Sequence, residues 1–246
     1  MEISKTKLTI YSSLGNRKMR QKHGLFLIEG EKSIADTLTE FEAECLLVKK
    51  GHTPAFATDG LNLVEATEQQ MAKVSNLTTP PDMIAVYRLP GETTSSLKVD
   101  PGQLYLLLDG VQDPGNLGTI VRTCHWFGIF RIFASKDTVD LFNPKTLQST
   151  MGSVARVKVT YCDLKELILS NKAMPVYGTL LEGRNIFKTK LSENGFVIMG
   201  NEGKGISPEI KKLITQPLNI PPYSSDHSES LNVAIATAIT LAEFRR

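Results

Sequence analysis

Beyond residue 103, six short segments are almost continuously apolar: LYLLLDG, RIFAS, VKVTYC, PVYGTLL, FVIMGN and PLNIPP, with stretches of helical spacing between them. A strand with one wet face alternates apolar and polar residues, whereas a strand that is apolar on both faces must be covered on both. Strands of this kind joined by amphipathic helices specify an α/β fold, a parallel sheet between helical layers. Few other architectures accept the pattern.

The first part of the chain carries the same alternation on a smaller scale. LFLIEG (25–30), ECLLVKKG (44–51) and MIAVYRL (83–89) read as strands, with helices around Lys5 to Lys22, from Glu31, and over 66–76. Residues 90–103, PGETTSSLKVDPGQ, have the Pro, Gly, Ser and Thr content of a linker. A boundary near residue 95 is expected, separating a domain 1–95 from a domain 103–246. With 246 residues, 41% hydrophobic and 22% charged, the chain can bury a core without cross-links.

Cys45, Cys124 and Cys162 are far apart, no C-x-x-C pair occurs, and the four histidines have no ligand spacing. Neither a disulfide framework nor a metal site is expected. No segment reaches the ~18 apolar residues of a membrane helix, and the N-terminus lacks a signal-peptide core, so a soluble, cytoplasmic protein with no membrane partner is expected. The net charge of +2 conceals a local run, Lys5, Lys7, Arg17, Lys18, Arg20 and Lys22, with no acid between them. That run fits either a solvated helix pair or a nucleic-acid footprint.

Three motifs stand at strand ends. In DPGNLGTIVRTCHWFG (113–128), Pro114 and Gly115 make a bend and Asn116 is a suitable N-cap. Helical spacing places Leu117, Ile120, Val121, Cys124 and Phe127 on one face and Arg122 opposite. Helical side chains lean toward the N-terminus, so Arg122 runs back over Gly118, which clears its path toward the free N–H groups near Asn116. FVIMGNEGKGIS (196–207) is a buried strand breaking into a glycine-rich loop with Asn201, Glu202 and Lys204. It has neither the spacing of a Walker loop nor the fingerprint of a dinucleotide site, which disfavours a nicotinamide-dependent oxidoreductase. The final motif, NIPPYSSDHSESLNVAIATAITLAEFRR, crosses a polar loop into a helix over Leu231 to Phe244, with Ser230 as its expected cap and Asn232 in need of a hydrogen-bond partner. That helix is too apolar for a monomer surface and must be buried or pair with another chain. Cys124 and His125, adjacent on a helix, point apart and form no nucleophile–base pair.

Taken together, DPGNLGTIVRT, GNEGKGIS and IPP…ESLNVAIATAI resemble the SpoU/TrmH family of the SPOUT superfamily, S-adenosylmethionine-dependent RNA ribose 2′-O-methyltransferases. RKMRQKHGLFLIEGEKSI (17–34) resembles that family's small ribosomal-protein-like RNA-binding domain. The resemblance implies a deep trefoil knot, an exception to the rule that chains do not thread loops, and a homodimer. It implies a methyl donor held by Thr179, Leu180, Gly200, Ile220, Ser230 and Leu231, and catalytic roles for Asn116, Arg122, Glu202 and Asn232. It also implies RNA contacts from Arg17, Lys18, Arg20 and Lys22, with ribosomal RNA favoured over transfer RNA as substrate. The alternative is a catalytically silent RNA-binding protein on the same scaffold. An arginine base is chemically awkward because guanidinium scarcely deprotonates; Arg122 as general base and Arg122 as electrostatic orienter both stay open. The third motif departs from the family pattern, with Pro222 for methionine, a glycine-free loop YSSDHSE and Ala234 for a frequent serine, so the donor loop over 222–229 has its own shape.

Overall fold

The computed structural model describes residues 2–91, 97, 99–226 and 228–246. The boundary expected near residue 95 lies outside the described residues. The chain divides into two compact units, residues 1–93 together with 142–155, and residues 94–141 together with 156–246. Segment 142–155 thus joins the first unit, a grouping that no consecutive reading of the sequence anticipates.

In the first unit, α1 (Lys5–Ser12) and α2 (Arg17–His23) precede β1 (Leu25–Glu29), α3 (Glu31–Thr37), β2 (Ala43–Lys49), β3 (Leu63–Ala66), α4 (Glu68–Val74) and β4 (Met83–Arg88). The sheet order is β1-β4-β2-β3, antiparallel except for the parallel β2–β3 pair. β3 was not expected: it is only four residues long and alternates exposed and buried positions, too short for its period to stand out. One face of the sheet is closed by an aromatic cluster in which Phe26 meets Phe41, Tyr87 and Phe142 at centroid distances of 5.2, 5.5 and 4.7 Å. Phe142 opens the returning segment, so its ring is part of this core.

The second unit contains β5 (Leu104–Asp109), α5 (Pro114–Trp126) and β6 (Arg131–Ala134). The chain then supplies α6 (Pro144–Thr150) to the first unit and returns as β7 (Lys158–Tyr161), α7 (Leu164–Leu169), β8 (Val176–Asn185), β9 (Gly195–Gly200), α8 (Pro208–Lys211), β10 (Gln216–Asn219) and α9 (Val233–Phe244). All six strands are parallel, in the order β10-β8-β9-β5-β6-β7. Every residue of β5 is buried, as a strand covered on both faces requires. The six apolar segments of the sequence are the six strands.

Candidate active site

From β5 the sheet grows outward through β6 and β7, and the chain then crosses to the other side of β5 to lay down β8, β9 and β10. The direction of winding changes between β5 and β9. In an open α/β sheet the crevice outside the carboxyl ends of such a strand pair is where ligands bind.

The residues after these two strands are locked together there. Asn201 Nδ2 donates to the Gly110 carbonyl at 2.7 Å, and the Ser207 amide donates to Asp109 Oδ2 at 2.7 Å. Asn201 also shapes its own loop: its Oδ1 accepts from the amides of Gly203 and Lys204, and its backbone pairs with Gly205. A Cβ on Gly200 would lie 2.3 Å from the Gly205 carbonyl carbon and the Ile206 nitrogen, so only glycine fits at this strand end. Asn201, Asp109 and Asp113 were absent from the expected site residues. For Asp109 and Asp113 the available signal was an aspartate at the end of an apolar strand and one before Pro-Gly.

α5 begins earlier than expected. Asp113, not Asn116, is the N-cap, accepting from the Asn116 amide at 2.8 Å, with Pro114 in the first turn. The sequence offered two capping residues three apart, and Pro114 decides between them because its fixed φ and missing N–H suit the first helical position. Asn116 is left with its side chain free for other partners. Its Nδ2 donates to Glu202 Oε1 at 3.0 Å and its Oδ1 accepts from Asn232 Nδ2 at 3.0 Å. Glu202 also accepts from the Gln112 and Asp113 amides at 3.2 Å each, so this carboxylate sits on the amino end of the helix. Burial works against its ionisation, but the bonds from Asn116 and the backbone amides outweigh that, and its pKa lies below the usual 4.5.

Asn232 replaces Ser230 as the cap of α9. Its Oδ1 accepts from the Ala234 and Ile235 amides at 2.9 and 3.3 Å while its Nδ2 reaches Asn116. The polar partner that Asn232 needed is therefore Asn116, and the amino ends of α5 and α9 meet through two amides. The expected faces of α5 hold as far as Cys124: Leu117, Gly118, Ile120, Val121 and Cys124 are buried and Arg122 is exposed, whereas Phe127, expected on the buried face, is the C-cap and only partly buried. Among the described residues, the Arg122 side chain has no hydrogen bond or ion pair.

The expected donor-binding residues lie in the middle of β8 (Thr179 and Leu180), at the carboxyl end of β9 (Gly200), just after β10 (Ile220) and in the loop before α9 (Ser230 and Leu231). Thr179 Oγ1 donates to the Ile198 carbonyl at 3.3 Å, tying β8 to β9 just past the last paired residue, Gly178. Asn219 Nδ2 donates to the carbonyls of Leu180 and Leu181 at 3.2 and 2.8 Å, a clamp between β8 and β10 that no motif singled out. Leu181 and Leu231 expose apolar side chains, while Ile220 is partly buried and Ser230 is exposed.

In the first unit, Arg17, Lys18 and Lys22 are exposed on α2, but Arg20 is not available to RNA. It is 2% exposed, and its Nη1 donates to the carbonyls of Leu14 and Gly15 at 2.9 Å each, closing the turn between α1 and α2. Removing that guanidinium from water is offset by these two charge-assisted bonds. The expected RNA contact at Arg20 is thus corrected to a structural one.

Residues 103–242 match the SpoU rRNA methylase family and residues 6–85 match the MRM3-like substrate binding domain. The chain is 33% identical to the 23S rRNA (guanosine(2553)-2′-O)-methyltransferase RlmP of Bacillus subtilis, over 97% of this chain and 96% of that one. A TrmH-family protein from Porphyromonas gingivalis superposes with a TM-score of 0.88 at 37% identity, covering 100% of this chain and 99% of its own. An AdoMet-bound rRNA methyltransferase from Sinorhizobium meliloti gives 0.86 at 28% identity, covering 100% and 97%. The chain belongs to the SpoU rRNA methylase family.

Proposed function

We propose that this protein transfers a methyl group from S-adenosylmethionine to a ribose 2′-oxygen of ribosomal RNA. The observation that supports the reading is the Glu202–Asn116–Asn232 chain of hydrogen bonds, which ties the amino ends of α5 and α9 to the loop after β9 in a SpoU-family sheet. An amide has two N–H donors and two carbonyl lone pairs. Asn116 uses one of each on Glu202 and Asn232, leaving one of each for the ribose. Glu202 and Asn232 act by positioning; neither has to touch substrate.

The bound donor supplies an electrophilic sulfonium methyl group. The chain's own task is to hold the hydroxyl in line with it and stabilise the charge that develops on oxygen. Arg122, exposed on α5 with an uncommitted side chain, is suited to orient the ribose or its phosphate as a planar cation. Thr179, Leu180, Gly200, Ile220, Ser230 and Leu231 form the donor site in this reading, largely through backbone groups.

The same reading includes a homodimer and a trefoil knot. Trp126 is 85% exposed at the end of α5 and Ile235 53% exposed on α9, apolar surface that a second copy would cover. Support for the knot is the close passage of β10 along the outer half of β8, where a Cβ on Gly183 would lie 2.7 Å from the Leu218 backbone. No helix among the described residues is long and apolar enough to cross a membrane. The three cysteines are free and buried, which accords with the cytoplasm as the place of action.

Calorimetry with S-adenosylmethionine and transfer of labelled methyl to unmodified 23S rRNA transcript test the proposal. One 2′-O-methylated ribose is the expected product. Donor binding without transfer would sink the assigned activity and leave the silent RNA-binding alternative; absence of donor binding would sink both the cofactor and the reaction.

A further inference from the structure

The first unit contains a cavity of about 480 Å³, bordered on one side by the turn after α1 and the end of β1, and on the other by α6 of the returning segment. Its rim is rigid. Arg20 pins the Gly15 carbonyl, and Gly15 packs so closely on Asn76 that a Cβ would lie 2.6 Å from Asn76 Oδ1. Glu29 in turn holds Asn76, accepting from its backbone amide at 2.8 Å and its Nδ2 at 3.1 Å. The polar groups opposite are uncommitted. Among the described residues, the Gln148 side-chain amide, the Asn143 Nδ2 and the Ser33 hydroxyl take part in no hydrogen bond, although Asn143 Oδ1 caps α6 through the Lys145 amide at 2.9 Å.

Unused amide and hydroxyl groups converging in a cleft with apolar walls are the equipment for reading the hydrogen-bonding edge of a planar heterocycle. The cations needed for its phosphate are adjacent: Arg17 and Lys18 lie just beyond Gly15 in sequence and are exposed, and Lys145 lines the cavity itself. Sequence-specific RNA recognition targets unpaired nucleotides whose bases can be turned outward. The cavity volume is in the range of small-ligand sites, enough for one nucleotide and too small for a duplex.

We infer that this cavity is a specificity pocket for a single unpaired nucleotide of the RNA substrate, with the base against Gln148, Asn143 and Ser33 and the phosphate toward Arg17, Lys18 and Lys145. The inference rests on the RNA methyltransferase reading for its ligand. It adds a recognition site in a different unit from the one that carries the crevice. Because α6 belongs in sequence to the middle of the methyltransferase match, a base held here is held by residues from both matched regions of the chain.

The test is base-specific chemical probing of unmodified 23S rRNA transcript with the full chain, alongside steady-state methyl transfer. Wild-type protein should protect one unpaired base on its hydrogen-bonding edge. Gln148→Trp, which fills the cavity from α6, should abolish that protection and raise the KM for RNA about tenfold, the worth of one or two hydrogen bonds. S-adenosylmethionine affinity and the thermal midpoint should be unchanged. Gln148→Ala should do the same more weakly, and its effect should vanish on RNA made abasic at the protected position. Protection that survives in both variants, or a wild-type footprint confined to paired backbone, would overturn the pocket. If wild-type protein protects RNA but transfers no methyl group, the enzyme reading fails while the footprint still decides the pocket.

Discussion

Glu202 has a negative charge fixed by its surroundings, which separates it from a group that trades protons during catalysis. Its folded pKa is below the ordinary 4.5, so the stabilisation it gives is fully present above that value and is lost as pH falls through the folded one. Glu202→Gln should cost about 0.3–1 kcal/mol at pH 7, the effect of an anion at an exposed helix N-terminus, and less at pH 3, below the ordinary carboxylate value. Urea unfolding at both pH values reads this out; an equal cost at both would mean the charge is immaterial. Arg122→Ala should reduce kcat at least about a hundredfold, as removal of a preorganised charge does, with donor affinity within about twofold. Arg122→Lys should recover little, because an ammonium lacks the planar fork. Asn116, Glu202 and Asn232 stood out beforehand only through the resemblance of their motifs to the SpoU/TrmH family; residue chemistry alone offered a helix cap at Asn116, a loop acid at Glu202 and an amide in need of a partner at Asn232. Arg20 could not be recognised as structural, because in a seven-residue helix spacing alone does not say which of four basic side chains turns inward to meet carbonyls of the preceding turn.

At the scale of elements, the long apolar strands and α5 were legible because each repeats its period over enough residues. The ends were not. Competing caps at Asp113 and Asn116, and at Ser230 and Asn232, are decided by tertiary partners, in the second case by an amide on another helix. The outer half of β8 was likewise missed: residues 182–185 are polar and mostly exposed, and only pairing with β10 makes them strand. That pairing leaves no room at Gly183. Gly183→Ala would place a Cβ within 2.9 Å of three backbone atoms of Leu218, so the two strands must separate. Thermal unfolding should show a clear drop in stability, and calorimetry a weakening of donor affinity of about tenfold or more. An unaltered midpoint would refute the close passage of these strands.

For the molecule as a whole, the predictions concern charge and assembly. Replacing Arg17, Lys18 and Lys22 by Ser should lower the slope of log affinity for rRNA against log salt by up to about one for each phosphate left unneutralised, with donor binding intact. Arg20→Ala should instead lower the thermal midpoint, since it strips two carbonyls of their donor. Sedimentation should find a dimer at micromolar concentration, and Ile235→Asp, which puts a charge on the exposed side of α9, should shift it toward monomer. A variant that sediments like wild type would remove α9 from the interface. The return of residues 142–155 to the first unit constrains anyone building chimeras. A transplant of residues 1–93 from a relative with another RNA target would arrive without Phe142, α6 and one wall of the cavity, meeting a foreign α6 instead. Altered target choice therefore requires a graft in two pieces, and natural recombination at a single crossover near the linker would seldom yield a working hybrid.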